Sequence, residues 1–155
     1  MIKRDFILRL IDKAAIFLMK AIGFRKDGDL PKSEAAIREA FKSLLGLEAK
    51  LVEAMAAADL ISLLGVGGEP DPGKLVVAAQ LLEERAEQYG AQIPAFQTHV
   101  KSLTIFLNVH LLPGKADYLD RTQDVHRLLK RLGESGFDLP AEVDELVSRF
   151  NAAPR

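Results

Sequence analysis

Three histidines are the side chains of this chain best suited to bind a metal ion or to transfer protons near neutral pH: His99, His110 and His126. His99 and His110 lie on one face of a predicted helix but about 16 Å apart along its axis, which is too far to share one ion. His126 belongs to the next predicted helix and could approach either of them, with Asp120 or Asp124 close by. No metal-binding spacing such as H-E-x-x-H supports such a site, so we predict that each histidine is a helix-surface or hydrogen-bonded interior residue. The sequence predicts no metal ion and no cofactor.

Three glutamates, Glu83, Glu84 and Glu87, are close enough in sequence to act as paired carboxylates in acid–base catalysis or as ligands of a cation. Catalysis also needs partners that converge in a cleft, whereas glutamates at these spacings are common on an exposed helix face. We therefore predict a solvated face. No serine stands in the G-x-S-x-G context of an activated nucleophile, and the sequence predicts no catalytic residues.

One glycine-rich segment matches part of a phosphate-binding loop. Residues 68–74 fit G-x-x-x-x-G-K, but Leu75 stands where a serine or threonine must reach magnesium. Two prolines remove amide donors, two acidic residues would repel a phosphate, and no strand precedes the loop. Asp71 is instead a favourable N-cap, and Pro72 suits the first position of a helix. We therefore predict a helix start rather than a nucleotide site.

The composition limits the remaining classes of function. The chain has 155 residues, of which 48% are hydrophobic and 28% charged, as in an ordinary globular domain. It has no cysteine, which excludes disulfides and thiolate chemistry and agrees with the cytoplasmic location that we expect. No uncharged apolar run reaches the roughly 18 residues that suggest a membrane span. Nucleic acid is not an expected partner, because the net charge is −1 and acidic residues interleave with the basic ones of the sixth helix.

Glycines and prolines divide the chain into predicted helices. No useful stretch shows the period-two alternation of a strand, so the sequence predicts an all-α fold of about seven helices. Asp59 and Asp117 are predicted to cap helices, as Asp71 is. The helix over residues 72–89 is predicted to be two-faced, with its glutamates on the exposed side. The predicted helices cover residues 1–24, 31–45, 48–56, 72–89, 94–112, 117–132 and 140–151, with a short turn at 60–64.

The first predicted helix, residues 1–24, carries more apolar surface than one neighbour can cover. Its apolar arc is much wider than the roughly 100° stripe of an ordinary surface helix, and Ile16 interrupts its narrow polar arc. We expect this helix to pack on two sides, against the chain's own core, another subunit or a partner. Residues 1–26 also hold seven basic and two acidic side chains, a net charge of +5. The candidate partner-binding residues are Phe6, Leu10, Phe17, Leu18, Arg9 and Lys13.

Two segments resemble helices of the tetratricopeptide repeat. Residues 28–47 contain G-D-L, A-I, A-F and L-L-G-L in that order, and residues 81–107 hold a second echo of the repeat. The opening M-I-x-x-D-F-I-L-R-L-I, together with the later L-L-G-L, D-L and D-P segments, resembles a family of small bacterial proteins of unknown function with tetratricopeptide-like helices. The resemblance covers roughly residues 1–112. It implies a bacterial cytoplasmic protein built of antiparallel helix pairs, with no assigned catalytic residues.

These features favour a non-catalytic interaction or scaffold protein. We expect one all-α domain over residues 1–155, with the amphipathic helix 1–24 packed on or beside a helical body of residues 31–151. The leading hypothesis is that helix 1 or an inter-helix groove binds another protein. A homodimer has nearly equal support, because a symmetry mate would cover the surplus apolar surface. The alternative is peripheral membrane association through the basic helix 1, and an enzyme with an apolar pocket between helices stays open.

Overall fold

Helices make up most of the described part of the chain, and the predicted all-α fold is confirmed. The computed structural model describes residues 2–152, and side chains from residue 3 onward. A π-helical turn, Phe41–Leu45, continues α2, and a 3-10 turn, Asp117–Leu119, precedes α7. Within the described residues, β-type pairing is limited to one bridge between Val66 and Glu69. The α-helices are α1 (Ile2–Lys26), α2 (Leu30–Ala40), α3 (Ala49–Ala54), α4 (Ala57–Leu64), α5 (Pro72–Gln88), α6 (Ile93–His110), α7 (Thr122–Gly133) and α8 (Ala141–Ala152).

The segment that resembles a phosphate-binding loop is a helix cap, as predicted. The Asp71 carboxylate accepts a hydrogen bond from the backbone N–H of Lys74 at 3.2 Å, and Pro72 occupies the first turn of α5. The cap therefore uses an amide that a phosphate loop would direct to its ligand.

Two other predicted caps are wrong. Asp59 lies in the first turn of α4, one of the places where a helix dipole favours a carboxylate, and Ala56 is the N-cap. Asp117 opens the 3-10 turn instead of a long helix. The nearer Asp120 accepts hydrogen bonds from the backbone N–H and the hydroxyl of Thr122, where α7 begins.

Helix α5 is the central element of the fold, and the prediction that it is two-faced is wrong. Its first three turns are apolar nearly all round, because Val76, Val77 and Leu81 occupy the sides between the predicted core positions. Helices α1, α2 and α6 cover these sides, and all three side chains are fully buried. A helix with apolar residues on every side requires several neighbours.

Helix α1 lies against both α2 and α5, so two neighbours from its own chain cover most of its wide apolar arc. Ile7, Ala14 and Ala21 are spaced by seven residues and form the buried centre of the arc. Gly73 lets α1 approach the start of α5, since a Cβ built there would lie 2.9 Å from a side-chain carbon of Ile7. The buried Ser33 of α2 donates a hydrogen bond to the Ala21 carbonyl at 2.6 Å.

The C-terminal helices α7 and α8 pack against α6 and complete the core. Leu128 of α7 and Val143 and Phe150 of α8 are buried in the same hydrophobic cluster as Phe106 of α6. Ser102 of α6 donates a hydrogen bond to a backbone carbonyl of α5 at 2.7 Å, which fixes the register of the two helices. The core therefore joins α1, α5, α6, α7 and α8, and α1 keeps one face toward solvent.

Candidate interaction surface

The six residues selected from the sequence separate into two groups on α1. Leu10, Phe17 and Leu18 are half-buried and pack against the core. Phe6, Arg9 and Lys13 are exposed. The structure therefore divides the proposed partner-binding set, and folding already uses much of the apolar surface of the first group.

The exposed residues belong to a row along α1 that we call the outer face: Phe6, Arg9, Lys13, Ile16 and Lys20. The side chains of Phe6 and Ile16 are 57% and 58% exposed, although both are large and apolar. Successive members are three or four residues apart, so they point to the same side of the helix. Ile16 and Lys20 lie outside the set of six predicted residues, although the interruption of the polar arc by Ile16 was a signal for this row.

The three cations of the outer face have no acidic partner among the described residues. No carboxylate in that part of the chain lies within ion-pair distance of Arg9, Lys13 or Lys20. Arg9 contributes only a long hydrogen bond of 3.5 Å to the backbone carbonyl of Asp5. The outer face is therefore both partly apolar and positively charged.

A groove of about 520 Å³ lies on the other side of α1, between α1, α5 and α7. Leu18 and Ile22 form its apolar side, and charged side chains of α5 and α7 form the rest. Most of these charges are already paired across the groove, so it offers few free groups to a ligand.

The prediction that Glu83, Glu84 and Glu87 form a solvated face is wrong. Glu84 is only 5% exposed and accepts two hydrogen bonds from Arg25 of α1, at 2.7 and 3.0 Å. The bond to Glu84 raises the pKa of Arg25 above its ordinary value, against the opposing effect of burial. This two-bonded ion pair joins residues 59 positions apart and connects the end of α1 to α5.

The other two glutamates connect α5 to α6 and α7. Glu83 accepts two hydrogen bonds from Arg127 of α7, both at 2.7 Å. One oxygen of Glu87 lies 2.8 Å from His99 Nε2 of α6 and 2.9 Å from Arg131 Nε of α7. All three carboxylates are therefore held in ion pairs between helices, an arrangement that stabilises the fold and leaves none of them free to act on a substrate.

Acidification is expected to weaken the fold through Glu87. The close contact with His99, followed by the hydrogen bond from Arg131, lowers the pKa of Glu87 from 4.5 to about 2. A lowered pKa in the folded state adds stability above the unfolded-state pKa, and this contribution is lost as the pH falls toward about 2. We expect about 2 to 3 kcal/mol of the free energy of unfolding to disappear between about pH 5 and pH 2 from this group.

Urea unfolding at a series of pH values measures this loss. Glu87→Gln serves as the control, because it removes the titrating group. Its stability is expected to be lower than that of the wild type at pH 7 and to fall less steeply below pH 5. Parallel curves for the two proteins would contradict the assignment to Glu87.

The histidines lie where their individual predictions allow, but the structure also brings two of them together. His99 is buried at the Glu87 ion pair. His110 Nδ1 accepts a hydrogen bond from the Arg121 backbone N–H at 3.0 Å, and burial lowers its pKa. His110 and the exposed His126 both contact the ring of Phe150, with ring centroids 5.0 and 5.4 Å away.

These two histidines line a polar cleft of about 760 Å³ at the start of α7. Asp120 lies 3.6 Å from His110 Nδ1, but its carboxylate also accepts two hydrogen bonds from Thr122 at the start of α7. No three acidic or histidine side chains in the described part of the chain converge as metal ligands would. The cleft therefore presents hydrogen-bonding groups without a recognisable catalytic or metal-binding arrangement.

Comparison with known proteins adds no functional residue to this geometry. The chain matches no family model, no curated protein and no solved structure. Among the described residues, every helix is too short or too polar to cross a bilayer. The case for a function therefore depends on the surfaces and contacts of the chain itself.

Proposed function

We propose that this is a non-catalytic helical interaction protein that binds another protein through the outer face of α1. One observation carries the proposal: two large apolar side chains, and three cations that have no acidic partner among the described residues, form an exposed row on a helix whose opposite side packs against α2 and α5. Burying Phe6 and Ile16 against a partner would remove apolar surface from water, and the cations would give the contact its specificity.

The inter-helix groove is a weaker candidate for the same role. Arg25, Arg127 and Arg131 are already paired with the glutamates of α5 in or beside it. A partner that enters this groove would compete with bonds that connect α1, α5 and α7. The outer face requires no such exchange, which supports it as the primary contact.

The outer face also fits a protein better than a lipid surface. An interfacial helix buries a broad apolar face among lipid chains, whereas the broad apolar face of α1 is occupied by α2 and α5. Phe6, Ile16 and Met19 are what remains exposed, and the acidic Asp5 and Asp12 accompany them. Membrane association stays the alternative hypothesis.

Two further predictions belong to this proposal. The lack of cysteine agrees with binding in the reducing cytoplasm. The resemblance to small bacterial proteins with tetratricopeptide-like helices leads us to expect antiparallel helix pairs, and the contacts of α1 with α2 and of α5 with α6 would supply a rigid base for an exposed helix face.

Photo-crosslinking in the native host tests the contact. The photoreactive residue p-benzoylphenylalanine replaces Phe6 in one variant, Ile16 in a second and Ile93 in a third. Ile93 lies at the start of α6, away from the outer face, and is 62% exposed. We expect the same protein to be attached at positions 6 and 16 and not at position 93.

Two results would contradict the proposal: no protein adduct from either α1 position, or identical adducts from all three positions. Light scattering of the purified protein at tens of micromolar accompanies this test. A dimeric mass together with self-adducts from positions 6 and 16 would replace the proposed partner by a second copy of the chain, the homodimer expected from the sequence.

A further inference from the structure

We infer that the partner segment is an acidic amphipathic α-helix that lies lengthwise along the outer face of α1. This inference rests on the proposed function and specifies the chemistry of its partner. Its basis is the juxtaposition, on one exposed helix face, of Phe6 and Ile16 with the cations of Arg9, Lys13 and Lys20.

The spacing of the outer face fits a helix better than an extended peptide. Positions 6, 9, 13, 16 and 20 alternate steps of three and four residues, the repeat with which two helices pack side by side. The row is about 21 Å long at 1.5 Å per residue, which matches a partner helix of about 14 residues. An extended strand of the same length would cross the row with only about six residues, and α1 offers it no free backbone groups to pair with.

The charges indicate an acidic partner. Arg9 and Lys13 lie between the two apolar side chains, and Lys20 follows Ile16. A partner helix could place large apolar residues opposite Phe6 and Ile16 and carboxylates opposite the three cations. Each of the five outer-face residues would then have a complementary contact. Such complementarity sets the register and suppresses other partners.

Asp5 and Asp12 place negative charge along one flank of the outer face. Each immediately precedes an outer-face residue, Phe6 or Lys13, so both lie on the same flank of the row and are exposed. A partner helix with basic residues along the corresponding flank gains contacts there, while its central acidic row faces the cations. One rotational setting of the partner is therefore favoured over the others.

The same charges disfavour a second copy of α1 as the occupant. A parallel pair of outer faces places each cation beside its own copy. An antiparallel pair centred on Lys13 brings Lys13 against Lys13 and sets Phe6 against Lys20. Like charges in contact across an interface are destabilising, so the outer face selects a chain of opposite charge.

A row of this length covers less than the roughly 800 Å² per partner of a stable standard interface. We therefore expect a dissociation constant in the micromolar range, with a marked dependence on salt because the charges are exposed.

Selection from a peptide library tests the inference, because the charge of the library peptides is not fixed in advance. The library displays 21-residue helical peptides with leucine at alternating three- and four-residue spacing, and with glutamate, lysine, glutamine or alanine at random elsewhere. The full-length protein is the bait. We expect the enriched peptides to be strongly acidic, and the triple variant Arg9→Glu, Lys13→Glu, Lys20→Glu to bind them about 10- to 100-fold more weakly.

The matched control changes the net charge by the same amount elsewhere. Arg38→Glu, Lys50→Glu and Arg149→Glu alter exposed residues of α2, α3 and α8 that also have no acidic partner among the described residues. Binding by this control is expected to stay within about threefold of the wild type. If both triple variants lost the same peptide affinity, the loss would come from the change in net charge and not from the outer face, and the inference would be overturned.

Other outcomes overturn it as well. These are no enrichment, enrichment of neutral or basic peptides, or flotation with phosphatidylglycerol vesicles that depends on the three cations while no peptide is selected. If crosslinking at positions 6 and 16 captures a protein but the selected peptides are not acidic, the proposed function stands and the acidic helix is wrong. If crosslinking captures nothing, the proposed function itself fails.

Discussion

Replacing Arg25 with methionine is expected to lower the free energy of unfolding by about 3 kcal/mol. The change leaves the carboxylate of Glu84 buried at 5% exposure without the two hydrogen bonds that it accepts from Arg25. Removal of one partner of a buried ion pair is destabilising because the other charge stays buried without a partner or water to compensate it. Arg25 itself is about one-quarter exposed, which places the effect at the lower end of the range for buried pairs. Urea unfolding at pH 7 measures the loss.

The double variant Arg25→Met, Glu84→Leu separates this cause from lost packing. With both charges replaced by apolar groups of similar size, no buried charge stays unpaired, and we expect stability within about 1 kcal/mol of the wild type. If the single Arg25 variant costs less than about 1 kcal/mol, or if the double variant is less stable than the single one, the ion pair is not what holds α1 to α5 at this end.

The position of Glu84 shows where interpretation of the sequence alone was insufficient. Spacing rules relate residues within one helix, and adjacent glutamates near the end of α5 have the pattern of an exposed face. Arg25, Arg127 and Arg131 reach these glutamates from other helices, and nothing in local spacing indicates that they would. The apolar residues Val76, Val77 and Leu81 did carry a signal for central burial, since they surround α5 with apolar surface.

Features that depend on residues close together in the sequence could be predicted better than contacts between different helices. Pro72 and Asp71 predicted the start of α5 because a cap depends on residues only three apart. The two-sided packing of α1 also followed from the width of its apolar arc. The shared contact of His110 and His126 with Phe150 depends on the arrangement of three helices, which spacing does not encode.

The candidate interaction surface depends on how α1 is rotated about its own axis. Ile7, Ala14 and Ala21 face the core, and the Arg25–Glu84 pair fixes the last turn. Because the outer face lies on the other side of the same helix, contacts that stabilise the fold also determine which side chains a partner meets. The rotation itself is therefore open to a direct test.

Ala14→Asp is expected to destabilise the protein by about 4 kcal/mol or more, whereas Ala15→Asp is expected to cost less than about 1 kcal/mol. Ala14 is fully buried on the inner face of α1, and a carboxylate there has no partner at hand. The adjacent Ala15 is exposed, so its replacement adds only the lower helix propensity of aspartate. Urea unfolding monitored by circular dichroism measures both variants.

The pair of variants is informative because the two substitutions are chemically identical and lie one residue apart. A rotation of α1 by 100°, the angle between neighbouring residues, would exchange the effects of the two positions. It would also turn Phe6 and Ile16 away from the side described above. Equal losses of unfolding free energy at the two positions would mean that α1 does not keep one fixed face toward α5. The five outer-face residues would then not form one defined exposed surface.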